Sequence, residues 1–166
     1  ADADNGFGNA IQAANTGAMY EQLGAAGLQI DDKVLPSMHP AKNEIVGWEM
    51  VGPKIEAVRD NVSEDFVIVY RTCANLYGYG IDESIRRINL AKERGADYAY
   101  VDGIKSVGEL INVSEESKIP LMVNMNEKGF VGGNVAIEQI REMNFSIGLF
   151  PISSMLAASQ GMIEVM

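Results

Sequence analysis

Phe66-Val67-Ile68-Val69-Tyr70 is a short apolar run rich in β-branched residues, a composition typical of a buried strand. It is followed at residues 81–94 by a longer stretch in which Ile85, Ile88 and Leu90 recur with helical spacing. Parallel strands need a crossover connection between them, and a helix of this length supplies one. This pair of segments therefore predicts an α/β protein with a parallel sheet covered by helices.

The same strand and helix unit recurs along the whole chain. Strands are predicted at residues 28–30, 66–70, 98–101, 121–124 and 146–150, and helices at residues 9–26, 48–61, 81–94, 107–117, 135–143 and 153–160. Gly27 and Gly95 are predicted to take the left-handed conformation that ends a helix. No linker or low-complexity tract divides the chain, so residues 1–166 are predicted to form a single domain.

Charge and composition argue against several classes of partner. The 166 residues carry a formal net charge of -10 at pH 7, which would repel nucleic acid and anionic lipid surfaces. Cys73 is the single cysteine and cannot form an internal disulfide. No apolar stretch approaches the ~20 residues of a membrane span. We therefore expect a cytoplasmic protein whose partners are small molecules.

The apolar pattern is interrupted just after each predicted strand. The interruptions are Asp31-Asp32, Arg71, Asp102 and Asn124, which are ionisable or amide residues, and Pro151. The carboxyl ends of parallel strands lie at the same edge of a sheet, where both barrels and doubly wound sheets place their active sites. A strand can also end in a polar residue simply because it emerges into water. Five such positions together favour a site.

The first residues of the chain are the strongest local signal. Asp2 and Asp4 are two apart on an extended segment and project to the same side, and Gly6 and Gly8 permit a tight turn before the first helix. Two converging carboxylates suit a hard divalent cation. The spacing matches neither an EF-hand nor a dinucleotide-binding fingerprint, because the further ligands or glycines are missing.

Seven motifs extend this signal over the chain. They are Asp2-Ala3-Asp4-Asn5-Gly6-Phe7-Gly8-Asn9, Ala25-Ala26-Gly27-Leu28-Gln29-Ile30-Asp31-Asp32-Lys33, Glu49-Met50-Val51, Asp65-Phe66-Val67-Ile68, Arg71-Thr72, Val123-Asn124-Met125-Asn126-Glu127 and Leu149-Phe150-Pro151-Ile152-Ser153. In order and spacing they resemble the isocitrate lyase and phosphoenolpyruvate mutase superfamily, which includes methylisocitrate lyases and phosphonomutases.

This resemblance implies a (β/α)8 TIM barrel of which the first two to three strands are absent here. Asp2 and Asp4 would lie at the end of the third barrel strand, so the first residues are expected to be the end of a strand. A parallel sheet of five or six strands cannot close and leaves unpaired edges. We therefore expect residues 1–166 alone to fold poorly and to turn over little substrate. Relatives form homotetramers, and a homo-oligomer is expected.

The resemblance also implies a set of site residues. Mg²⁺, or Mn²⁺ in its place, would be held partly through water by Asp2, Asp4 and Asp31, the last of these replacing a longer glutamate. Arg71 takes the place of an arginine that binds substrate and takes part in catalysis. The remaining substrate-binding positions fall on Asp102, again shorter than the glutamate of relatives, and on Asn124 and Glu127.

The chain departs from the superfamily in one loop. Lyases carry a segment resembling Lys-Lys-Cys-Gly-His whose cysteine acts as acid or base, whereas this chain has Pro36-Ser37-Met38-His39-Pro40. His39 is the only histidine and is a candidate for the proton donor, although a solvent-exposed loop histidine is the simpler interpretation. Residues 36–47, which lack periodicity, are expected to form a mobile lid.

The implied chemistry is that of a magnesium-dependent carbon–carbon bond lyase or decarboxylase. Its substrate would be a small 2-oxo or 2-hydroxy carboxylate, such as methylisocitrate or oxaloacetate, and the metal would stabilise an enolate. Lys33 resembles the phosphonopyruvate-processing branch, which includes mutases and hydrolases, whereas residues 124–127 resemble the lyase branch, so the resemblance leaves both open. The altered loop leaves a third possibility, a catalytically silent homologue.

Overall fold

Strands and helices alternate throughout the computed structural model, which describes residues 1–34, 43–126 and 130–165. The strands are β1 Gly27–Asp31, β2 Val67–Thr72, β3 Tyr98–Val101, β4 Leu121–Asn124 and β5 Phe145–Leu149. The helices are α1 Ala10–Gln22, α2 Trp48–Arg59, α3 Ile81–Glu93, α4 Val107–Glu116, α5 Phe130–Asn134, α6 Ile137–Arg141 and α7 Ser153–Val165.

The strands form one parallel sheet in the order β1-β2-β3-β4-β5. Sequence order and spatial order are the same, so the described sheet has no switch point at which the strand order reverses. A doubly wound sheet has such a point, whereas a (β/α)8 barrel adds its strands consecutively. The α/β class is confirmed, and the sheet is an arc of a barrel.

The first residues of the chain run beside β1. Asp2 pairs with Gln29 in a parallel bridge, the amide of Ala3 donates to the carbonyl of Gln29 at 2.9 Å, and the amide of Gln29 donates to the carbonyl of Ala1 at 2.7 Å. Residues 1–3 therefore pair with β1 through an isolated parallel bridge.

One face of the sheet carries the hydrophobic core. Ile30 on β1, together with Ile68 and Tyr70 on β2, is buried against the helices, and Ile55 and Val58 of α2 pack on the same cluster. Successive residues of a strand face opposite sides, which explains why every second residue of β2 is fully buried. Each such aliphatic side chain contributes about 1.5–3 kcal/mol on burial.

The other face of the sheet is concave and lines a cavity of about 660 Å³. Val69 and Arg71 of β2, Tyr100 of β3 and Met122 of β4 point into it. In a barrel this face is the interior, and its carboxyl end is where the predicted polar residues gather.

Two glycines show how α1 and α3 end. Gly95 has a φ of 94° and follows α3 as predicted. The prediction for Gly27 was wrong, because Gly24, with a φ of 86°, ends α1 and Gly27 is already the first residue of β1. A Cβ atom at Gly27 would lie 2.3 Å from the carbonyl oxygen of Val67, so glycine is required there by the close approach of the two strands.

The last two elements are the least covered. α7 has no buried residue, and β5 is exposed along most of its length. Of the helices in the described residues, none has the length and apolar character needed to cross a membrane.

Candidate active site

Three side chains form a row across the carboxyl end of the sheet. Asp31 of β1 is the register partner of Arg71 of β2, which in turn is the partner of Tyr100 of β3. Register partners on neighbouring strands face the same side of a sheet. An acid, a guanidinium and a phenol therefore lie side by side on the concave face.

Arg71 is held by the residues around it. Its Nη2 lies 2.5 Å from Oδ2 of Asp102, and its guanidinium carbon lies 5.3 Å from the centre of the Tyr100 ring. Burial disfavours the charged form, but the neighbouring Asp102 carboxylate outweighs it and raises the pKa of Arg71. Its Nε is buried and has no hydrogen-bond partner. The site therefore contains a fixed cation with an unused donor.

Asp102 faces Arg71 and is itself oriented by two donors. The hydroxyl of Tyr100 and the amide of Gly103 donate to its Oδ1 at 3.0 and 2.9 Å. Asp102 was assigned to the substrate on resemblance. The structure places its carboxylate against Arg71, where it can set the direction of the guanidinium.

Asn124 ends β4 and borders two cavities. It lines the 660 Å³ cavity and a smaller cavity of about 170 Å³, which Asp102 also lines. Its Oδ1 is buried and has no hydrogen-bond partner. The other predicted site residues, Glu127 and His39, lie outside the described part of the chain, as does most of the predicted lid.

Asp4 and Asp31 are connected by a hydrogen bond between their backbones. The amide of Asp31 donates to the carbonyl of Asp4 at 2.7 Å, and the Asp31 carboxylate lies 3.0 Å from Nζ of Lys33. Burial raises the pKa of Asp31 even though Lys33 acts to lower it. Burial likewise opposes the charge on Lys33, but the Asp31 carboxylate outweighs it and raises the Lys33 pKa. Asp31 is thus a buried acid that a nearby cation stabilises.

The loop that carries Asp2 and Asp4 is tied to the rest of the site. Oδ1 of Asp2 accepts from the amide of Asp4 at 2.9 Å. The Asn5 side chain donates to the carbonyl of Lys33 at 3.0 Å, and the buried Lys54 of α2 donates to the carbonyl of Asn5 at 2.8 Å. Burial lowers the pKa of Lys54. Sequence reasoning missed Lys54 because a lysine within a helix is usually exposed.

These acidic residues fit a hard divalent cation that keeps much of its water. Mg²⁺ in proteins is commonly bound through one or two carboxylates, with water completing its octahedron. Asp31 presents a buried carboxylate beside the Asp2–Asp4 segment, and burial of this kind favours a cation as counter-charge. Within residues 1–34, 43–126 and 130–165 no three acidic, histidine or cysteine side chains are close enough to enclose an ion, so an ion bound here would need water for most of its ligands.

A second group of buried polar residues lies behind the sheet. Asp32 is fully buried, and its carboxylate accepts from Tyr70, Thr72, the Cys73 amide and Arg87 at 2.8–3.1 Å. Arg87 also donates to the carbonyl of Val46 at 3.0 Å. Sequence reasoning grouped Asp32 with Asp31. The alternation of faces along a strand was the signal that could have separated them.

Cys73 follows β2 and is completely buried. Its Sγ lies 3.9 Å from Oδ2 of Asp102. Burial raises the pKa of the thiol to about 12, against the opposing effect of Arg71. A thiol with such a pKa is protonated at neutral pH and is a poor nucleophile. Cys73 is therefore a packed residue at the end of the strand and does not replace the missing loop cysteine.

Comparison with known proteins identifies the group to which this fold and site belong. The sequence profile of the phosphoenolpyruvate phosphomutase family matches residues 1–166. The 2,3-dimethylmalate lyase of Eubacterium barkeri is 33% identical, in an alignment covering 99% of this chain and 57% of that enzyme. The chain thus spans little more than half the length of this relative.

Solved structures agree with the sequence comparison. The crystal structure of 2,3-dimethylmalate lyase, a member of the phosphoenolpyruvate mutase/isocitrate lyase superfamily, matches with a TM-score of 0.85 and 30% identity, over 98% of this chain and 56% of that one. Phosphonopyruvate hydrolase in complex with oxalate and Mg²⁺ matches with a TM-score of 0.81 and 25% identity, over 98% and 56% of the two chains.

Proposed function

Because the chain belongs to the isocitrate lyase and phosphoenolpyruvate mutase superfamily, we propose that it forms the main part of the active site of a magnesium-dependent carbon–carbon bond lyase. The substrate class is a small 2-oxo or 2-hydroxy carboxylate. The observation that carries the proposal is the row of Asp31, Arg71 and Tyr100 at the carboxyl end of the sheet. This row puts a buried acid, which would hold the metal, next to a fixed guanidinium.

Arg71 would bind the substrate carboxylate. Its guanidinium presents several N–H donors in a plane, which matches the two oxygens of a carboxylate. Asp102 already occupies one edge of the guanidinium, and Nε remains unused. A carboxylate approaching from the cavity would therefore meet a cation whose orientation is set before binding, which lowers the cost of ordering the site.

Asp31, with Asp2 and Asp4, would hold the divalent ion. A bound Mg²⁺ supplies electrostatic stabilisation for the negative charge that develops on the substrate oxygen when the carbon–carbon bond breaks. Asn5 and Lys54 keep the Asp2–Asp4 segment next to β1. Lys33 pairs with Asp31, so its ammonium would have to move aside or turn toward the substrate when an ion binds.

Lys33 also supports a second candidate function. Its ammonium lies at the carboxyl end of the sheet, 3.0 Å from Asp31, where it could pair with a second anionic group of the substrate. A phosphonate carries more negative charge than a carboxylate and would gain more from this cation. A phosphonopyruvate-type mutase or hydrolase is therefore the alternative to the lyase.

A substrate panel with and without Mg²⁺ tests the proposal. The candidates are methylisocitrate, isocitrate, dimethylmalate, oxaloacetate and phosphonopyruvate, and the consumption of each substrate is followed. Turnover of a carboxylate that stops on chelation of the metal supports the lyase, and turnover of phosphonopyruvate alone supports the alternative. The proposal fails if the folded protein turns over none of the five and binds no oxalate in the presence of Mg²⁺.

A further inference from the structure

Lys54 of α2 is a buried cation whose hydrogen bond goes to the backbone of another segment. It is 3% exposed, and its ammonium donates to the carbonyl of Asn5 at 2.8 Å. Among residues 1–34, 43–126 and 130–165, no carboxylate forms an ion pair with it. Removing an ammonium from water is costly unless a partner compensates for it. The hydrogen bond to Asn5 is therefore the feature of this lysine that requires an explanation.

The segment that accepts this hydrogen bond, the turn at residues 4–7, has an unusual backbone. Asp4 and Phe7 have φ angles of 47° and 56°, and Gly6 between them has a φ of 84°. Only glycine adopts such left-handed angles without a steric cost, and other residues keep them only where the surrounding structure holds them. Phe7 itself is half exposed. The turn must therefore be held at its buried residues, of which Asn5 is one.

The two peptide planes on either side of Asn5 are fixed by different elements. Each peptide unit is planar, so the direction of its carbonyl sets the direction of the whole unit. The carbonyl of Asp4 accepts from the amide of Asp31 on β1 at 2.7 Å, and the carbonyl of Asn5 accepts from Lys54 on α2 at 2.8 Å. Within the described residues no other group donates to the Asn5 carbonyl. Loss of the Lys54 ammonium would free one of these two planes and let the left-handed turn relax.

We propose that Lys54 is a positioning residue whose ammonium, by holding the Asn5 carbonyl, keeps Asp4 in the left-handed conformation that presents the Asp2–Asp4 segment to the divalent ion. This inference rests on the function proposed above. The hydrogen bond and the charge of Lys54 act on the ion in opposite directions, because a cation beside the segment repels a second cation. Substitution of Lys54 therefore distinguishes a positioning role from an effect of its charge alone.

The test compares Lys54→Met with Lys92→Met in calorimetric titrations with Mg²⁺. Methionine is unbranched and apolar and can fill the space of the buried lysine stem, but it leaves the Asn5 carbonyl without its donor. Loss of a hydrogen bond from a charged group is expected to weaken Mg²⁺ binding about tenfold or more. Lys92 is an exposed lysine of α3 that also donates to a backbone carbonyl, that of Lys118, so Lys92→Met should leave the affinity unchanged.

A measurement on the metal-free protein tests the same role without the ion. The amides of Gly6 and Asp31 donate to carbonyls at the start of the turn at 2.8 and 2.7 Å. Hydrogen exchange of these two amides, followed by NMR, should be about tenfold faster in Lys54→Met, because the turn opens more often. The amide of Asp102 is hydrogen-bonded to the end of β2 at 3.0 Å. It reports on the rest of the sheet, and its exchange should not change.

The outcomes separate this proposal from the proposed function. Higher or unchanged Mg²⁺ affinity in Lys54→Met would overturn the proposal, and so would an equal increase in the exchange rate at Asp102. If Lys54→Met does not fold, Lys54→Gln, whose side chain is one bond shorter than that of lysine, takes its place with the same expected results. If the unsubstituted protein binds no Mg²⁺, the proposed function fails, and the exchange of Gly6 and Asp31 decides whether Lys54 holds the turn. Unchanged exchange at both amides would show that it does not.

Discussion

Arg87 of α3 and Asp32 at the end of β1 form an ion pair behind the sheet, with 3.1 Å between Nη1 and Oδ2. Both side chains are buried, and Asp32 also binds the residues on either side of Arg71. The backbone that carries the Arg71 guanidinium is therefore fixed from the core side of the sheet. The same ion pair therefore contributes to the stability of the fold and to the position of Arg71.

Arg87→Met should destabilise the protein strongly. Removing one partner of a buried pair leaves the other charge uncompensated, at a cost of about 3–5 kcal/mol. Urea unfolding followed by circular dichroism measures the change. Arg86→Met is the matched control, because Arg86 is exposed on the same helix and, among the described residues, forms an ion pair only with Glu83. A similar loss in both variants would show that the Asp32 contact is not the cause.

Glu83 should make the stability depend on acid pH. Two hydrogen bonds from Arg86, together with one from Arg87, lower the Glu83 pKa from 4.5 to about 2. A group whose pKa is depressed on folding stabilises the protein above its unfolded pKa and loses that contribution as pH falls through its folded pKa. The contribution is therefore complete near pH 6 and declines between about pH 4.5 and pH 2.

The measurement is the melting temperature of Glu83→Gln against the unsubstituted protein across this range. The difference should be largest near neutral pH and shrink as the solution is acidified. Asp82→Asn, an exposed neighbour on the first turn of α3, should show no such trend. A pH-independent difference for Glu83→Gln would contradict the assignment.

Cys73 should be unreactive in the folded state. With a pKa of about 12, only about one thiol in 10,000 is ionised at pH 8, and the thiolate is the reactive form. Modification by a disulfide reagent should therefore be slow in buffer and fast in urea. A fast reaction without denaturant would mean that the end of β2 opens readily.

The strand positions show what a single sequence can provide. The strands near residues 98–101 and 121–124 were predicted with their observed bounds, because a short apolar run between turns has few alternatives. The end of α1 was placed too late, since both Gly24 and Gly27 are suitable for a helix cap and only the packing against Val67 decides between them. The predicted helix at 135–143 is shorter, with α5 before it.

From the sequence, the site could be predicted only as a group of residues at the carboxyl ends of the strands. The register that brings Arg71 between Asp31 and Tyr100 is a tertiary property. The burial of Asp32 and Lys54 also depends on what packs around them, which no local pattern specifies. For Tyr100 the sequence provided only a partial signal, namely an aromatic residue two positions before Asp102 and therefore on the same face of the strand.

Magnesium should bind at the junction of the Asp2–Asp4 segment and β1. Calorimetric titration of the protein with Mg²⁺ is expected to show one site that Asp4→Asn weakens by at least about tenfold, since even substitutions of residues that support a ligand cost that much. Asp60→Asn, at the end of α2 and away from this junction, is the control. Unchanged affinity in Asp4→Asn would remove Asp4 from the site.

Arg71→Lys should impair activity far more than it affects stability. Lysine keeps the positive charge but loses the planar array of donors, so it cannot bind Asp102 and a substrate carboxylate in the same geometry. The loss of one charge-assisted hydrogen bond in the bound state corresponds to a decrease in kcat/KM of about 10- to 100-fold. Steady-state kinetics on the substrate found in the panel measures it, with urea unfolding as the control. Lys33→Arg is the matched reverse substitution, because it replaces a lysine that pairs with Asp31 as a point charge by an arginine. If Arg71→Lys retains full kcat/KM, Arg71 is a structural partner of Asp102 and the carboxylate binds elsewhere.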